Sequence, residues 1–360
     1  MNDGKAIQLG AGRYIQGHGV LSQIGMEVKY LGKKAFILGD EVTLAKTMGI
    51  IGKSLEKSGL EYLSCIFDGP STDKSFRMIA DKVKEAGCDV LVAVGGGRVI
   101  DICKGAAELN QLPIITVPTS AATCAAWAIL YVTYSEAGNI ESSRFLSREI
   151  SAVLADLDII FNDCPARYIA SGIADALAKK PEFEFTMLQL GAEGQRPNTD
   201  AATKIADYTY RNYFKIGEKA YRAALEHREC PEVDDVVCCN IMLTGLISDL
   251  STGGKQLAVA HNFYDAVCFL HKDVRKAYLH GELVGLGLAM QMSINGAPKS
   301  DILQLKELLK SIGCPTGLSD VGIPADEATV RAMIDFIAKK TMPGDRDLYE
   351  KIVNGMEYTR

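Results

Sequence analysis

No C-x-x-C pair occurs among the ten cysteines, and their spacing fits no disulfide framework. That excludes a cysteine zinc cluster and a disulfide-stapled secreted fold, and free thiols inside apolar patterns suit a reducing compartment. Positive charge is also in short supply: 39 Lys and Arg against 45 Asp and Glu give a net charge of −6 and a pI near 5.5. Nucleic acid and anionic membrane are thereby disfavoured as partners. Long apolar runs are missing. The most apolar window, Ile114 to Val132, is broken by Pro118 and by four Thr or Ser residues before Trp127, so a buried segment is expected there rather than a membrane span. The opening Met1-Asn2-Asp3-Gly4-Lys5 lacks the apolar stretch of a signal peptide, and there is no low-complexity segment, internal repeat or Pro/Gly/Ser-rich linker. A cytoplasmic protein is expected. What remains is ordinary globular composition, 48% hydrophobic and 23% charged, in 360 residues, enough for two domains with their own cores.

The first 160 residues alternate strand-like and helix-like runs. Ala35–Leu38, Leu63–Phe67, Val90–Val94, Ile114–Val117 and Val153–Asp156 read as strands, with helical patterns between them. This alternation predicts a doubly wound parallel sheet with ligands at the carboxyl ends of its strands. Tyr131 to Ser143 is different: two polar-alternating segments around Glu136-Ala137-Gly138-Asn139 predict a hairpin inserted on the sheet. After about Cys164 apolar residues recur at helical spacing, so the second half reads as all-α. The predicted division is an α/β domain over residues 1–162 and a helical domain over 163–360, with the cleft between them as the default active site.

Two features carry chemistry. Gly95-Gly96-Gly97 joins the apolar run Val90–Val94 to a helical pattern beginning near Val99. A strand, a turn without side chains and a helix N-terminus form an anion site, because free N–H groups and the helix dipole favour phosphate. The pattern is neither G-x-G-x-x-G nor a P-loop, so a tight turn without ligand stays open at this point. In the second half, His261 interrupts the apolar Leu257–Ala260, His280 opens the apolar helix Leu283–Leu288, and Asp175 sits alone among small residues in Ile173–Ala178. A charge in such surroundings is paired or binds a cation, and one carboxylate with two imidazoles leaves a coordination position open, as in catalytic metal sites. The bland alternatives are a helix-surface Asp and core histidines. Asp101 and Lys104 read most simply as an i,i+3 helix pair, and His271 as a solvated helix residue or a proton relay.

Taken together, "RYIQGHGVLSQIG" from Arg13, "VGGGRVIDICK" from Val94, "LPIITVPTSAATCAAW" from Leu112, "PARYIASGIADALAK" from Pro165, "AVAHNFYDAV" from Ala258 and "YLHGELVGLG" from Tyr278 resemble the iron-containing alcohol dehydrogenase superfamily, within it the glycerol dehydrogenase-like group. The stretch "PTSAATCAAW" is similar to that of hydroxycarboxylate dehydrogenases. The resemblance implies a dehydroquinate synthase-like architecture and a homo-oligomeric oxidoreductase. Its reaction would be NAD-linked, with NADP as the open alternative, and would interconvert a small alcohol, a 2-hydroxy acid or polyol, and its carbonyl. Asp175, His261 and His280 match the ligands of one divalent catalytic metal, zinc or iron. Gly95, Gly96, Gly97 and Arg98 fall against the cofactor pyrophosphate, Thr119 beside it, Leu130 and Tyr134 on the nicotinamide side, and Asp40 on the adenosine ribose. Three departures stand out. Cys124 occupies the place of an Asp that contacts polyols, Arg98 replaces a usual Lys, and Lys179-Lys180-Pro181-Glu182 replaces an aromatic pair before Glu. Pro181 is expected to kink or end its helix and so to reshape or weaken the metal site. The alternatives are glycerol dehydrogenase proper, a lyase like 3-dehydroquinate synthase, and a cofactor-binding relative without metal.

Overall fold

The computed structural model describes residues 8–135, 140–191, 196–251 and 257–360. The chain divides into two compact units, Met1–Pro165 and Ala166–Arg360.

The first unit contains strands β1 (Tyr14–Gly17), β2 (Lys34–Gly39), β3 (Glu61–Ile66), β4 (Val90–Gly95), β5 (Ile114–Pro118), β6 (Leu130–Tyr134), β7 (Ile140–Phe145) and β8 (Ala152–Asp156). Its helices are α1 (Ile24–Leu31), α2 (Glu41–Lys57), α3 (Asp73–Glu85) and α4 (Gly97–Asn110). Six strands form one parallel sheet in the order β1-β8-β5-β4-β2-β3. Strands β4, β5 and β8 are buried along their whole length, as continuous apolar runs covered on both faces should be. Edge strand β3 is largely exposed. From β2 the chain moves outward to β3 and then returns to place β4 on the other side of β2. The crevice of a doubly wound sheet lies at such a reversal, outside the carboxyl ends of the strands. Gly39 lies level with Val94, so Asp40 and the triple glycine leave the sheet side by side.

Strand β1 has no apolar run to announce it, and parallel pairing with β8 holds it. The hairpin expected over Tyr131–Ser143 is present as β6 and β7, but it forms a separate antiparallel ribbon rather than joining the large sheet. Its turn, Glu136–Asn139, lies outside the described residues.

The second unit contains α5 (Ala166–Leu190), α6 (Pro197–Leu225), α7 (Pro231–Cys238), α8 (Thr244–Ser251), α9 (Val259–Leu270), α10 (Lys272–Ala277), α11 (His280–Ile294), α12 (Lys299–Ser311), α13 (Glu327–Thr341) and α14 (Arg346–Met356). Among the described residues it has no strand. Helix α11 is apolar around its circumference and buried at nearly every position, which makes it the centre of the unit. It packs most heavily on α5 and α9. Small residues set the closeness of that packing: a Cβ at Gly285 would lie 3.3 Å from Ala174 Cβ on α5, and one at Gly287 would lie 2.8 Å from Ala260 Cα on α9.

Pro181 does not end its helix. α5 runs from Ala166 to Leu190 with Pro181 inside it. The ring removes one helical hydrogen bond, at a cost of about 3 kcal/mol in an unsupported helix. Here α5 is flanked by α6 and α11, and the Pro181 carbonyl accepts a 2.7 Å hydrogen bond from Asn295 Nδ2. Tertiary packing outweighs the local propensity. Among the described residues no helix is long and apolar enough to cross a membrane.

Candidate functional site

Asp175 on α5, His261 on α9 and His280 at the first position of α11 converge. Asp175 Oδ1 lies 3.3 Å from His261 Nε2 and 3.4 Å from His280 Nε2, and one donor atom from each of the three lies within 4.8 Å of the others. Asp175 is 5% exposed, yet its Oδ1 satisfies no hydrogen-bond geometry. A buried carboxylate oxygen facing two imidazole nitrogens without a hydrogen bond to either suits three ligand atoms aimed at a common cation. The residues therefore fit a divalent metal. Burial opposes ionisation of Asp175, but His280 and His261 hold its carboxyl well below the usual range.

The environment of His261 reinforces this. Glu182, fully buried, accepts from the His261 backbone N–H at 2.9 Å and lies 2.8 Å from its Nδ1 through Oε2. The carboxylate holds a ring proton on Nδ1 and turns Nε2 toward Asp175 and His280, as the outer carboxylate partners of metal-binding histidines do. Burial pushes the His261 pKa down, but Glu182 and Asp175 reverse this and raise it to about 9, so a cation at Nε2 takes the place of a proton. The sequence names Glu182 only as part of the Lys179–Glu182 departure and assigns it no role. The signal was there: it lies seven residues after Asp175, two turns along the same face of α5. Glu182→Gln keeps the volume but presents one acceptor instead of a charge. It is expected to weaken zinc binding 10- to 100-fold, read by competition against a chromophoric chelator.

His280 is held from its own backbone. Glu282 accepts from Leu279 N–H at 2.7 Å and takes a two-pronged ion pair from Arg167 of α5, at 2.6 and 2.7 Å. Tyr264 stands edge-on to the His280 ring at 4.4 Å between centroids. His271 is not in this cluster; it sits at the junction of α9 and α10.

In the first unit the triple glycine forms the turn from β4 into α4, with Gly96 as the N-cap and no side chain capping the helix. A Cβ at Gly96 would meet only Ser120 Oγ, at 3.9 Å, so packing does not demand glycine there. An uncapped N-terminus with open space over it fits a phosphate. Arg98, in the first turn, is ion-paired with Asp68. Thr119 follows β5 and donates its N–H to Gly95 O at 3.2 Å. Cys124 opens a short 3₁₀ turn capped by Thr123. A Cβ on Gly97 would lie 3.4 Å from Thr123 Oγ1 and 3.5 Å from Ala125 Cβ, so this turn packs beside the glycines. Asp40 caps α2, its Oδ1 accepting from Thr43 N–H at 2.9 Å. Leu130 and Tyr134 are the first and last residues of β6.

Residues 11–159 match the family model described as iron-containing alcohol dehydrogenase. A glycolaldehyde reductase of Halobacterium salinarum is 30% identical over 317 residues, covering 87% of this chain and 84% of that protein. A glycerol dehydrogenase of Escherichia coli is 30% identical over 318 residues, covering 88% and 84%. A probable glycerol dehydrogenase from Sinorhizobium meliloti superposes with a TM-score of 0.84 at 25% identity, covering 99% of each chain.

Proposed function

Because the chain belongs to the iron-containing alcohol dehydrogenase family, we propose that it is a metal-dependent, nicotinamide-linked dehydrogenase interconverting a small alcohol and its carbonyl. One observation carries the reading. Asp175, His261 and His280, each from a different helix, bring their donor atoms together, with Glu182 fixing the His261 tautomer. A divalent cation, zinc or iron, supplies Lewis-acid polarisation of the substrate oxygen when bound, and the nicotinamide supplies or takes up the hydride. The chain's own residues hold and orient. Asp175, His261 and His280 are the metal ligands, and Glu182 keeps the proton on His261 Nδ1. The Gly96 and Gly97 amides with Arg98 take the pyrophosphate, Thr119 lies beside it, and Leu130 and Tyr134 flank the nicotinamide. The test is an NADH and NADPH oxidation screen over 2-oxo acids, dihydroxyacetone and simple aldehydes, with added Zn²⁺ or Fe²⁺ and metal analysis of the purified protein. Metal-independent turnover, or none with any carbonyl, overturns the reading.

Asp40 sets the cofactor preference to NAD. Its Oδ1 is engaged as a helix cap, while Oδ2 has no hydrogen-bond partner among the described residues. A carboxylate accepts from a ribose hydroxyl and repels a 2′-phosphate. Asp40→Asn keeps an acceptor for the cap and removes the charge. It is expected to narrow the NADH-over-NADPH ratio of kcat/KM by about tenfold, corresponding to about 1.4 kcal/mol. A natural enzyme more efficient with NADPH refutes this role for Asp40.

Cys124 bears on the substrate. A thiol is a weak donor and acceptor, so the turn lacks a fixed negative charge to anchor a polyol or to repel an anion. A small 2-oxo or 2-hydroxy acid is favoured over glycerol. Cys124→Asp is expected to raise kcat/KM on dihydroxyacetone and lower it on 2-oxobutyrate, shifting their ratio by about tenfold or more. Preference of the unaltered enzyme for glycerol over every 2-hydroxy acid tested defeats it. The glycerol dehydrogenases among the relatives make glycerol the second reading.

A further inference from the structure

The i,i+3 helix pair of Asp101 and Lys104 is present, and it is buried. Lys104 has no exposed surface and Asp101 is 9% exposed, in the second and third turns of α4. Lys104 Nζ donates to Leu130 O at 2.7 Å, and Asp101 Oδ2 accepts from Val132 N–H at 3.1 Å. The two side chains lie 3.7 Å apart. Both backbone groups belong to β6, on alternate residues. The same alternation continues in the segment before α3: Ser71 Oγ donates to Val132 O at 2.8 Å, and Ser71 O accepts from Tyr134 N–H at 2.8 Å. Residues 130, 132 and 134 therefore have the strand edge away from β7 satisfied by α4 and Ser71, in place of another strand.

A two-stranded ribbon fixes its own register weakly, and this one has an irregularity between Thr133 and Tyr134. Tyr131 and Thr133 point into the core at 5% and 0% exposure, while Leu130, Val132 and Tyr134 are half-buried on the other face. A slip of one residue would exchange these two sets. A buried Lys–Asp pair is a poor source of net stability because both charges lose their water, but it fixes where a backbone carbonyl and an N–H must sit.

We propose that Asp101 and Lys104 are positioning residues that lock β6 in register, so that the helix whose N-terminus takes the pyrophosphate also presents Leu130 and Tyr134 to the nicotinamide. The proposal rests on the reading of β6 as the nicotinamide side. It predicts a split between the two halves of the cofactor. Lys104→Met is expected to weaken NADH about tenfold by fluorescence titration, while ADP-ribose, which lacks the nicotinamide, binds within twofold of the unaltered protein by calorimetry. Asp101→Asn keeps an acceptor for Val132 N–H and removes the charge facing Lys104. It serves where Lys104→Met does not fold, with the same selective loss expected at about threefold. Equal weakening of NADH and ADP-ribose overturns the proposal, because the pair would then act through the α4 N-terminus. Unchanged NADH binding in these variants, with Tyr134→Ala weakening it, overturns the lock and leaves the nicotinamide reading standing. Unchanged NADH binding in Tyr134→Ala and Leu130→Ala overturns both.

Discussion

Replacing His280 with alanine is expected to abolish metal binding and cut turnover by a thousandfold or more, while NADH binds within about twofold of the unaltered protein. The loss follows from the geometry. His280 Nε2 lies 3.4 Å from Asp175 Oδ1, and without it a carboxylate and one imidazole remain, fewer than the three protein ligands of catalytic zinc sites. Several kcal/mol of transition-state charge stabilisation come from such a metal, and each 1.36 kcal/mol is a factor of ten in rate. The fold should survive, because the α11 N-terminus is secured independently through Glu282, which accepts from Leu279 N–H and pairs with Arg167. Cofactor affinity should persist, because the glycine turn belongs to the other compact unit. Metal content by mass spectrometry, steady-state kinetics and NADH fluorescence read the three parts separately. Full activity in chelator-treated protein, or loss of NADH binding in folded His280→Ala, contradicts the assignment.

An acid among alanines and two histidines in apolar stretches mark Asp175, His261 and His280 as candidates, while spacing alone leaves a helix-surface Asp and core histidines open. The packing that brings their donor atoms within 4.8 Å of one another is not written in any local pattern. Glu182 is harder to see because Pro181 precedes it. Local propensity says the helix stops there, and only the packing of α5 against α6 and α11 carries the helix through. The pairing of Asp101 with Lys104 is legible from their spacing, but its burial is not. Spacing shows that two residues share a helix face, but not that the face is buried, and on α4 every residue from Val99 to Ala107 is buried. The Arg167–Glu282 pair spans 115 residues of sequence, so no local pattern could announce it. Strand β1 escapes because its pairing with β8, rather than any apolar run of its own, makes it a strand. Sheet order and helix-to-helix distances are likewise products of long-range packing, and they place Asp40 beside the glycines and bring α5, α9 and α11 together.

The second large effect is expected from the smallest substitution, Gly281→Ala. A Cβ built on Gly281 would lie 1.8 Å from the Ser171 carbonyl oxygen of α5 and 2.7 Å from its carbon. An ordinary contact between carbon and carbonyl oxygen is about 3.3–3.6 Å, so roughly 1.5 Å must be found. The obstacle is backbone in the middle of a helix, and no side-chain rotation relieves it. The Gly281 N–H also bonds Ser171 Oγ at 3.1 Å, a link that separation of the helices would break. α11 must therefore rise from α5 at the residue beside His280, carrying its imidazole away from Asp175. Overpacking of this kind costs about 1–3 kcal/mol of stability. The metal should suffer more than the fold, because coordination distances tolerate only about 0.2 Å. Zinc affinity is expected to fall by at least a hundredfold, with a lowered melting temperature in the metal-free protein. Gly285→Ala provides the comparison one turn on: its Cβ would meet Ala174 Cβ at 3.3 Å, a gap that a few tenths of an ångström of movement can open. That variant should keep most of its zinc affinity. Equal zinc affinity in Gly281→Ala and the unaltered protein would mean that His280 is not held by this contact, and that the close approach of α11 to α5 serves packing alone.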